Sequence, residues 1–571
     1  MNNMELALSP VFLPLAGAAM ALLSKSIPRR RLATFLELCG ALTGLFLPWL
    51  TLAALLPVVM DGGISFTISG WNATLGIAQR FDGLAWLVDA LGFMGAGLAY
   101  LYSRGAGPRG PHFTAIFLIQ TAALAATAST ADLFNLFVCL EVLGIASYVL
   151  VASARKPGAY LAAFSYLAIS SAAMVFFLVG LFGFYRLTGS LSYASIAQGL
   201  GSLNDGGGPV ASLSSACIVA AIAIRVAVMP VYGWLPDAHA LAPHAVSAVL
   251  SGVLIKTPLF ALGRLLAFLP SGQQAMNMVG VAGVITALAA VIVALSQSDA
   301  KRLLAYHSIS QIGYIVAAWG LGTAAGLQAA YMHALYHAIF KGLLFLSIGT
   351  ITDAAGNRNV YTLRGAGSAL IKAGDKGLSV GVSYAIGALS ICALPPFNGF
   401  ASKNAIGHLF KGSWAYWVLF AAGVCTVASF LKLSMIFLPA HGENAQEKLQ
   451  AKVESDQAPE YRIHCSMKSA LLILAGLCVA SGLLAGPLGT FTGRLLGVPF
   501  LGVKDVIYSA SALIKTAITV VLGMFIFGIA ISPPGKKLAA AIRGRPRSFA
   551  GLVLAFISGL AALGARLVFF R

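Results

Sequence analysis

The chain has 571 residues, of which 59% are hydrophobic and only 10% charged, with a formal net charge of +19. That much apolar surface cannot be hidden in a water-soluble core, so composition excludes a soluble globular fold and points to a bilayer. The basic excess does not imply a nucleic-acid partner, because the positive residues gather in alternate loops between apolar runs.

Apolar runs recur from Ala7 to Phe570. They predict about sixteen helical spans, at 6–24, 33–59, 82–103, 112–129, 131–154, 159–185, 210–231, 245–269, 276–297, 303–320, 326–351, 380–410, 414–440, 468–487, 511–532 and 549–570. The runs lack the period-2 alternation of a membrane barrel, which leaves helices. Met1 to Ser9 lacks a basic leader, so the first span is expected to stay in place. Asp61–Arg80 and Ser190–Gly208 read as short external segments, and His441–Lys468 as a charged loop. The basic linker PPGKKLAAAIRGRPR (533–547) is expected at the cytoplasmic membrane surface.

Lys25 with Arg29–Arg31, Arg104 with Arg109, Arg155 with Lys156, Lys301 with Arg302, and Arg358, Arg364, Lys372 and Lys376 mark alternate loops; Arg80, Arg186 and Lys411 are sparse in the others. The positive-inside bias therefore predicts an external N-terminus in a multi-pass cell inner-membrane protein. Three regions are expected: N-terminal helices over 1–110, a core over 111–440, and a cytoplasmic loop with further helices over 441–571.

Five charged groups lie inside apolar runs: Glu141, Arg225, Lys256, Lys341 and Lys403. An ionised group at bilayer depth costs roughly 2.5 kcal/mol or more, so it persists where it is paired, hydrated or used. Five together read as an ion or proton pathway. Glu141 alternatively forms a structural ion pair between helices. Asp132, nine residues earlier in STADLFN, is either a helix N-cap or a group at an ion entrance.

His333, His337 and Lys341 follow at i, i+4 and i+8 in AAYMHALYHAIFKGLLFLSIG and form one polar stripe. Neutral imidazole both donates and accepts a hydrogen bond, so the stripe can seat a file of water. Packing is the other reading of His333. A metal site is disfavoured because the stripe carries no carboxylate or cysteine. Lys256 and Lys403 complete the set. A desolvated lysine gives up its proton more readily than one in water, although Lys403, just past a helix break, has snorkelling to the interface as its alternative.

Prolines interrupt two runs, at Pro230 in IAIRVAVMPVYGWLP and at Pro395 and Pro396 in ICALPPFNGFASKNAIG. Each removes a helix hydrogen bond. Paired broken helices beside cations point to an inverted-repeat transporter, ordinary proline kinks being the plainer alternative. The seven cysteines are scattered with no C-x-x-C pair, and no G-x-G-x-x-G or G-x-x-x-x-G-K-[ST] loop occurs. No cofactor or metal is expected.

The strings DLFNLFVCLEVLGIASY, MPVYGWLPDAHALAP, SAVLSGVLIKTPLFALGR, SDAKRLLAYHSISQIGYI, HALYHAIFKGLLFLSIG and LPPFNGFASKNAI resemble the antiporter-like membrane subunits of respiratory complex I, Mrp-type cation/proton antiporters and membrane-bound group 4 hydrogenases. The likeness covers about 110–440, and the DLFN-x-x-x-x-x-E form is most similar to the Mrp D-type subunit. It implies an all-α polytopic protein with a core of about fourteen helices, two inverted five-helix repeats each with a broken helix, and about two extra C-terminal helices. It further implies a proton-translocating or sodium/proton antiport subunit in a multisubunit membrane complex, with other membrane subunits as partners.

By motif position, Glu141 matches the family's fifth-helix glutamate, Lys256 the eighth-helix lysine, His337 and Lys341 the eleventh-helix pair, and Lys403 the lysine beside the second break. Asp237, His239 and His307 fall in the same strings as candidate access or loop contacts, together with Asp132. One departure matters: five residues before the first-break proline, where the family usually carries lysine, stands Arg225, which does not deprotonate. A structural subunit that has lost transport, or a transporter for a small solute, are the rival readings.

Overall fold

The structure is a computed structural model that describes residues 3–68, 76–204, 206–267, 272–439, 461–498 and 507–544. Among these, thirteen segments are long and apolar enough to cross a membrane. With one more polar helix and one interrupted pair, each of the first fifteen expected spans falls on helix. The sixteenth, 549–570, lies outside the described residues.

The chain opens with α1 (Asn3–Leu23), α2 (Arg30–Leu45) and α3 (Pro48–Met60). The predicted span 33–59 is thus two helices, broken at Phe46 and Leu47 ahead of Pro48, whose ring lacks the amide that an uninterrupted helix would use there. The segment expected to be external, 61–80, contributes β1 (Ile64–Thr67) and the start of β2 (Ala78–Phe81), which pair antiparallel with Ile64 opposite Phe81. Then comes α4 (Gly83–Ala106), capped by Asp82, which accepts from Ala85 N at 3.2 Å.

Two sets of five membrane-crossing units follow. The first holds α5 (Pro111–Ser129), α6 (Leu133–Ala152), α7 (Pro157–Thr188), and, after the short surface helix α8 (Tyr193–Gly201), α9 (Gly208–Val226) continued by α10 (Leu235–Leu241). Its fifth unit is α11 (His244–Val249), a π-helical turn at Leu250–Leu254 and α12 (Thr257–Leu266). The second set holds α13 (Gly272–Ser296), α14 (Ala300–Trp319), α15 (Ala324–Ala355), then, past α16 (Ala366–Lys372), the interrupted pair α17 (Ser379–Ile391) and α18 (Asn398–Leu409), and α19 (Trp414–Ser434). The described residues close with α20 (Cys465–Leu483), α21 (Ala485–Leu496), α22 (Ala510–Ile531) and α23 (Pro533–Gly544).

The repeat is visible in the backbone. Asp132 bridges Ser192, and Asp299, 167 residues later, bridges Asn359, again 167 residues later. The flanking bonds match: Leu133 N to Leu191 O and Tyr193 N to Ala131 O in one half, Ala300 N to Arg358 O and Val360 N to Ser298 O in the other. Asp132 and Asp299 also cap their helices, accepting from Asn135 N at 2.7 Å and Arg302 N at 2.8 Å. Both interrupted helices pass through an alanine in the left-handed region, Ala227 and Ala393, each three residues before Pro230 or Pro396.

Small residues let the helices pack closely, as lipid offers no hydrophobic drive for their association. A Cβ on Gly313 of α14 would lie 2.4 Å from Ala287 N of α13, and one on Gly180 of α7 would lie 2.6 Å from Ser214 O of α9. At the periphery, 533–547 is not simply a linker: residues up to Gly544 form α23, and Arg543 donates to Ser296 O at the end of α13.

Candidate functional site

The charged residues of the apolar runs converge inside the two repeats. Arg225 ends α9, and its fork donates Nη2 to Glu141 Oε1 at 2.6 Å and Nη1 to Leu140 O at 2.7 Å, both on α6. Gly144 makes room: a Cβ there would meet the Tyr148 hydroxyl at 2.6 Å and Arg225 Nη1 at 3.2 Å. The pair is asymmetric, with 5% of the Arg225 side chain exposed and 28% of Glu141. Glu141 borders an exposed apolar stripe of Phe134, Val138, Val142, Ile145 and Val149.

Lys256, wholly buried, sits where the π-helical turn hands over to α12. The amides of Ile255 and Lys256 bond Leu250 O and Val253 O. They skip Ser251 O and Gly252 O, and the Lys256 ammonium donates to these two carbonyls. Ser251 Oγ bonds Ser308 Oγ on α14 at 2.7 Å, and Gly252 lies against Ala338 of α15, between His337 and Lys341 in sequence.

On α15 the stripe is buried throughout, with His333, His337 and Lys341 all at 0% exposure. Lys341 donates to Leu304 O of α14 at 2.5 Å and lies 4.9 Å above the Phe345 ring. The His337 ring centre is 6.3 Å from that of His333. His333 Nδ1 bonds Ser402 Oγ at 2.9 Å. Both nitrogens of His337 and Nε2 of His333 have no partner among the described residues.

Lys403 closes the row. It donates to Ile391 O at 2.8 Å and lies 5.0 Å over the Tyr314 ring, which is itself 6.0 Å from His333. Around the break the amides of Cys392, Ala393 and Leu394 bond Ala388, Ser390 and Leu389, so Ile391 O is left for the lysine. Lys403 is 8% exposed and points into the core, so it does not snorkel.

Arg225 and Lys341 are joined by aromatic rings. Tyr148 meets Tyr166 edge-on at 4.6 Å, Tyr166 stacks on Trp234 at 3.9 Å, and His239 lies 6.2 Å from Trp234 and 6.0 Å from Phe345. His239 is buried with neither ring nitrogen partnered among the described residues, whereas His307 bonds Ser429 Oγ at 2.8 Å.

Asp132 and Asp237 stand apart from the row. Asp132 is the cap of α6; burial raises its carboxyl above the usual range, against the pull of the Asn135 and Phe134 main chain. Asp237 pairs with Arg302 at 2.7 Å on the surface.

Several buried charged groups are not among the candidate site residues read from the sequence. Lys432 donates to Leu295 O at 2.5 Å and Gln297 O at 2.7 Å at the end of α13, and Lys301 donates to Ala242 O at 2.7 Å. Asp89 on α4 is 1% exposed, and neither carboxylate oxygen has a hydrogen-bond partner among the described residues. Lys432 and Asp89 lie inside expected spans, where the criterion that singles out Lys341, a charge within an apolar run, applies to them as well. Among the described residues no group of three histidines, cysteines or carboxylates could hold a metal.

Paired interrupted helices around a buried row of ammonium and imidazole groups define an antiporter-like polytopic membrane protein. Residues 130–431 match the family described as NADH:quinone oxidoreductase/Mrp antiporter, TM, and the chain belongs to it. It is 35% identical to NADH-quinone oxidoreductase subunit N of Desulforudis audaxviator, over 67% of this chain and 79% of that protein. It is 27% identical to the D subunit of the Na(+)/H(+) antiporter of Alkalihalophilus pseudofirmus, over 79% of this chain and 90% of that one. In structure it resembles a chain of the Mrp complex from a Dietzia species, with a TM-score of 0.75, 25% identity, and coverage of 91% of this chain and 100% of that chain.

The geometry makes Arg225 testable. Arg225→Lys keeps a cation against Glu141 and should assemble like the parent. Arg225→Ala removes two hydrogen bonds and leaves a partly buried carboxylate unpaired. Since Glu141 is 28% exposed, the expected loss is about 1–3 kcal/mol, below the cost of breaking a fully buried pair. Thermal unfolding and yield of assembled protein check this, and an alanine variant as stable as the parent contradicts it.

Proposed function

We propose that this chain is a proton-translocating or cation/proton antiporter subunit of a multisubunit membrane complex, and that protons pass along Lys256, His337, His333, Lys341 and Lys403, with the Glu141–Arg225 pair as the gate at the other end of the polar row. The observation that carries the reading is the row of three buried lysines, each held, among the described residues, by main-chain carbonyls rather than by a carboxylate, with histidine nitrogens between them that have no partner among those residues. A carbonyl accepts a hydrogen bond from either the ammonium or the amine, so it holds the side chain in place without fixing its charge. A carboxylate would favour the charged form.

Arg225 has a separate part. It stays charged, binds the Glu141 carboxylate and the Leu140 carbonyl in one fork, and acts as a fixed gate charge that opens or closes by separation of the pair. The same residue is the one observation favouring the rival reading, a structural subunit that has lost transport. The driving force comes from a gradient or from a partner's chemistry, since the sequence carries neither a dinucleotide fingerprint nor a nucleotide-hydrolase loop. The partners are other membrane subunits, a reading supported by the relatives, both of which are named as subunits of larger assemblies.

In vesicles holding the whole complex, the parent should move protons, while Lys256→Met and Lys341→Met should each slow proton uptake on the order of tenfold or more, corresponding to about 1.4 kcal/mol added to the transfer barrier. A pH-sensitive dye reads the rate. Variants that assemble and pump like the parent would end the proposed route, and a parent complex that turns over without pumping would favour the structural reading.

We also place the protein in the cell inner membrane with its N-terminus outside, on the basic loops noted above. Cys465, exposed at the start of α20, is then cytoplasmic. A membrane-impermeant maleimide should label it in inside-out but not right-side-out vesicles, with Cys465→Ser as the control; the opposite result inverts the topology.

A further inference from the structure

Beyond Lys403 the row does not end in solid packing. A cavity of about 50 Å³ opens at the second helix break, lined by Cys392, Lys403, Asn404, Lys515 and Thr519 among others. A water needs about 10–15 Å³ of such space and two or more polar partners, so the cavity has room for a few waters. The partners are present: the two ammonium groups, the Thr516 and Thr519 hydroxyls, and Asn404 Nδ2, which is buried and unpartnered among the described residues.

Lys515 comes from α22, outside the segment matched by the family. Its ammonium lies 4.9 Å over the Tyr416 ring, much as that of Lys403 lies over Tyr314. A Cβ on Gly407 would lie 2.7 Å from Lys515 Nζ. Gly407 follows Lys403 by one turn on the same face of α18, so Lys515 continues the line of the row. Lys515 stands five residues into α22, about 8 Å along the axis from Ala510. The opposite end leads into α23 with Lys536, Lys537 and Arg543, which makes the Ala510 end the outward one by the bias of basic residues to the cytoplasm.

We propose that Lys515 is a further proton-handling residue and that this hydrated cavity is an outward branch of the route. This rests on the proton-translocating reading given above. Two ammonium groups facing one small cavity repel each other, so the pair favours holding one proton between them. Lys403 then gives its proton through cavity water to the neutral amine of Lys515; one N–H bond breaks, one forms, and no other charge moves. Lys515 releases it toward the outer end of α22.

The test uses the whole complex in vesicles, with co-purification of subunits as the assembly check. The parent and Lys256→Met come first: a parent that pumps and a methionine variant that does not establish the route, and their failure would be a failure of the broader reading rather than of this one. With the route established, Lys515→Met and Lys515→Arg should both slow proton uptake on the order of tenfold, because neither side chain gives up a proton. Gly407→Ala, which favours the helix and crowds the ammonium out of the cavity, should slow it several-fold with assembly unchanged. An arginine variant that pumps like the parent would show that a fixed charge suffices and overturn the proposal. So would a methionine variant that pumps like the parent, or an assembled Gly407→Ala complex with the parent's rate.

Discussion

Putting an ammonium group into a bilayer-spanning core without an anion beside it is the constraint on which the rest of this structure depends. Desolvating a charge costs several kcal/mol unless hydrogen bonds replace the lost water. An α-helix offers few carbonyls for the purpose, because its own amides occupy them. The fold frees carbonyls by interrupting the helices. Ser251 O and Gly252 O are released by a π-helical turn, Ile391 O by the break before Pro395, and Leu295 O and Gln297 O by the end of α13. Lys256, Lys403 and Lys432 take them up. Lys341 is the variation, sharing Leu304 O with the Ser308 hydroxyl inside an unbroken helix.

Arg225 shows the contrast. Its helix also ends at a break, but there Trp234 Nε1 takes the Ile224 carbonyl at 2.8 Å and the guanidinium turns instead to α6. It meets the carboxylate of Glu141 and a main-chain carbonyl in one fork, a geometry that suits a permanent charge. The row therefore has two kinds of cation. One is fixed and paired near the protein surface; the others are lysines whose partners are indifferent to whether they carry the proton. The tyrosine, tryptophan and histidine rings between them run from α6 past the first helix break to Phe345 of α15, the helix that carries His333 and His337.

Most of this architecture is legible in the sequence, because the bilayer enforces local rules. Apolar length gives the spans, and a charge within one stands out against that background, as at Glu141, Lys256 and Lys341. The prolines mark both interruptions. What does not show is non-local. Nothing in VLSGVLIK announces a π-helical turn, and no spacing reveals that Lys256 bonds its own preceding turn while Lys341 reaches a neighbouring helix. The matched bridges of Asp132 with Ser192 and Asp299 with Asn359 join residues too unlike to align by eye. Asp237 misled by position: it sits beside the first break, yet the backbone after Pro236 carries it to the surface and Arg302. Lys515 lies within the expected span 511–532, but only the folded chain shows the cavity that it faces.

A cryo-EM map of the complex, at a resolution that shows ordered water, tests most directly whether buried lysines, freed carbonyls and unpartnered imidazoles form one hydrated proton route. Density for water should bridge the Lys256 ammonium, the His337 and His333 ring nitrogens, Lys341 and Lys403. A row in which side chains close those gaps, leaving the histidine nitrogens dry and the lysines bonded only to main chain, would contradict it.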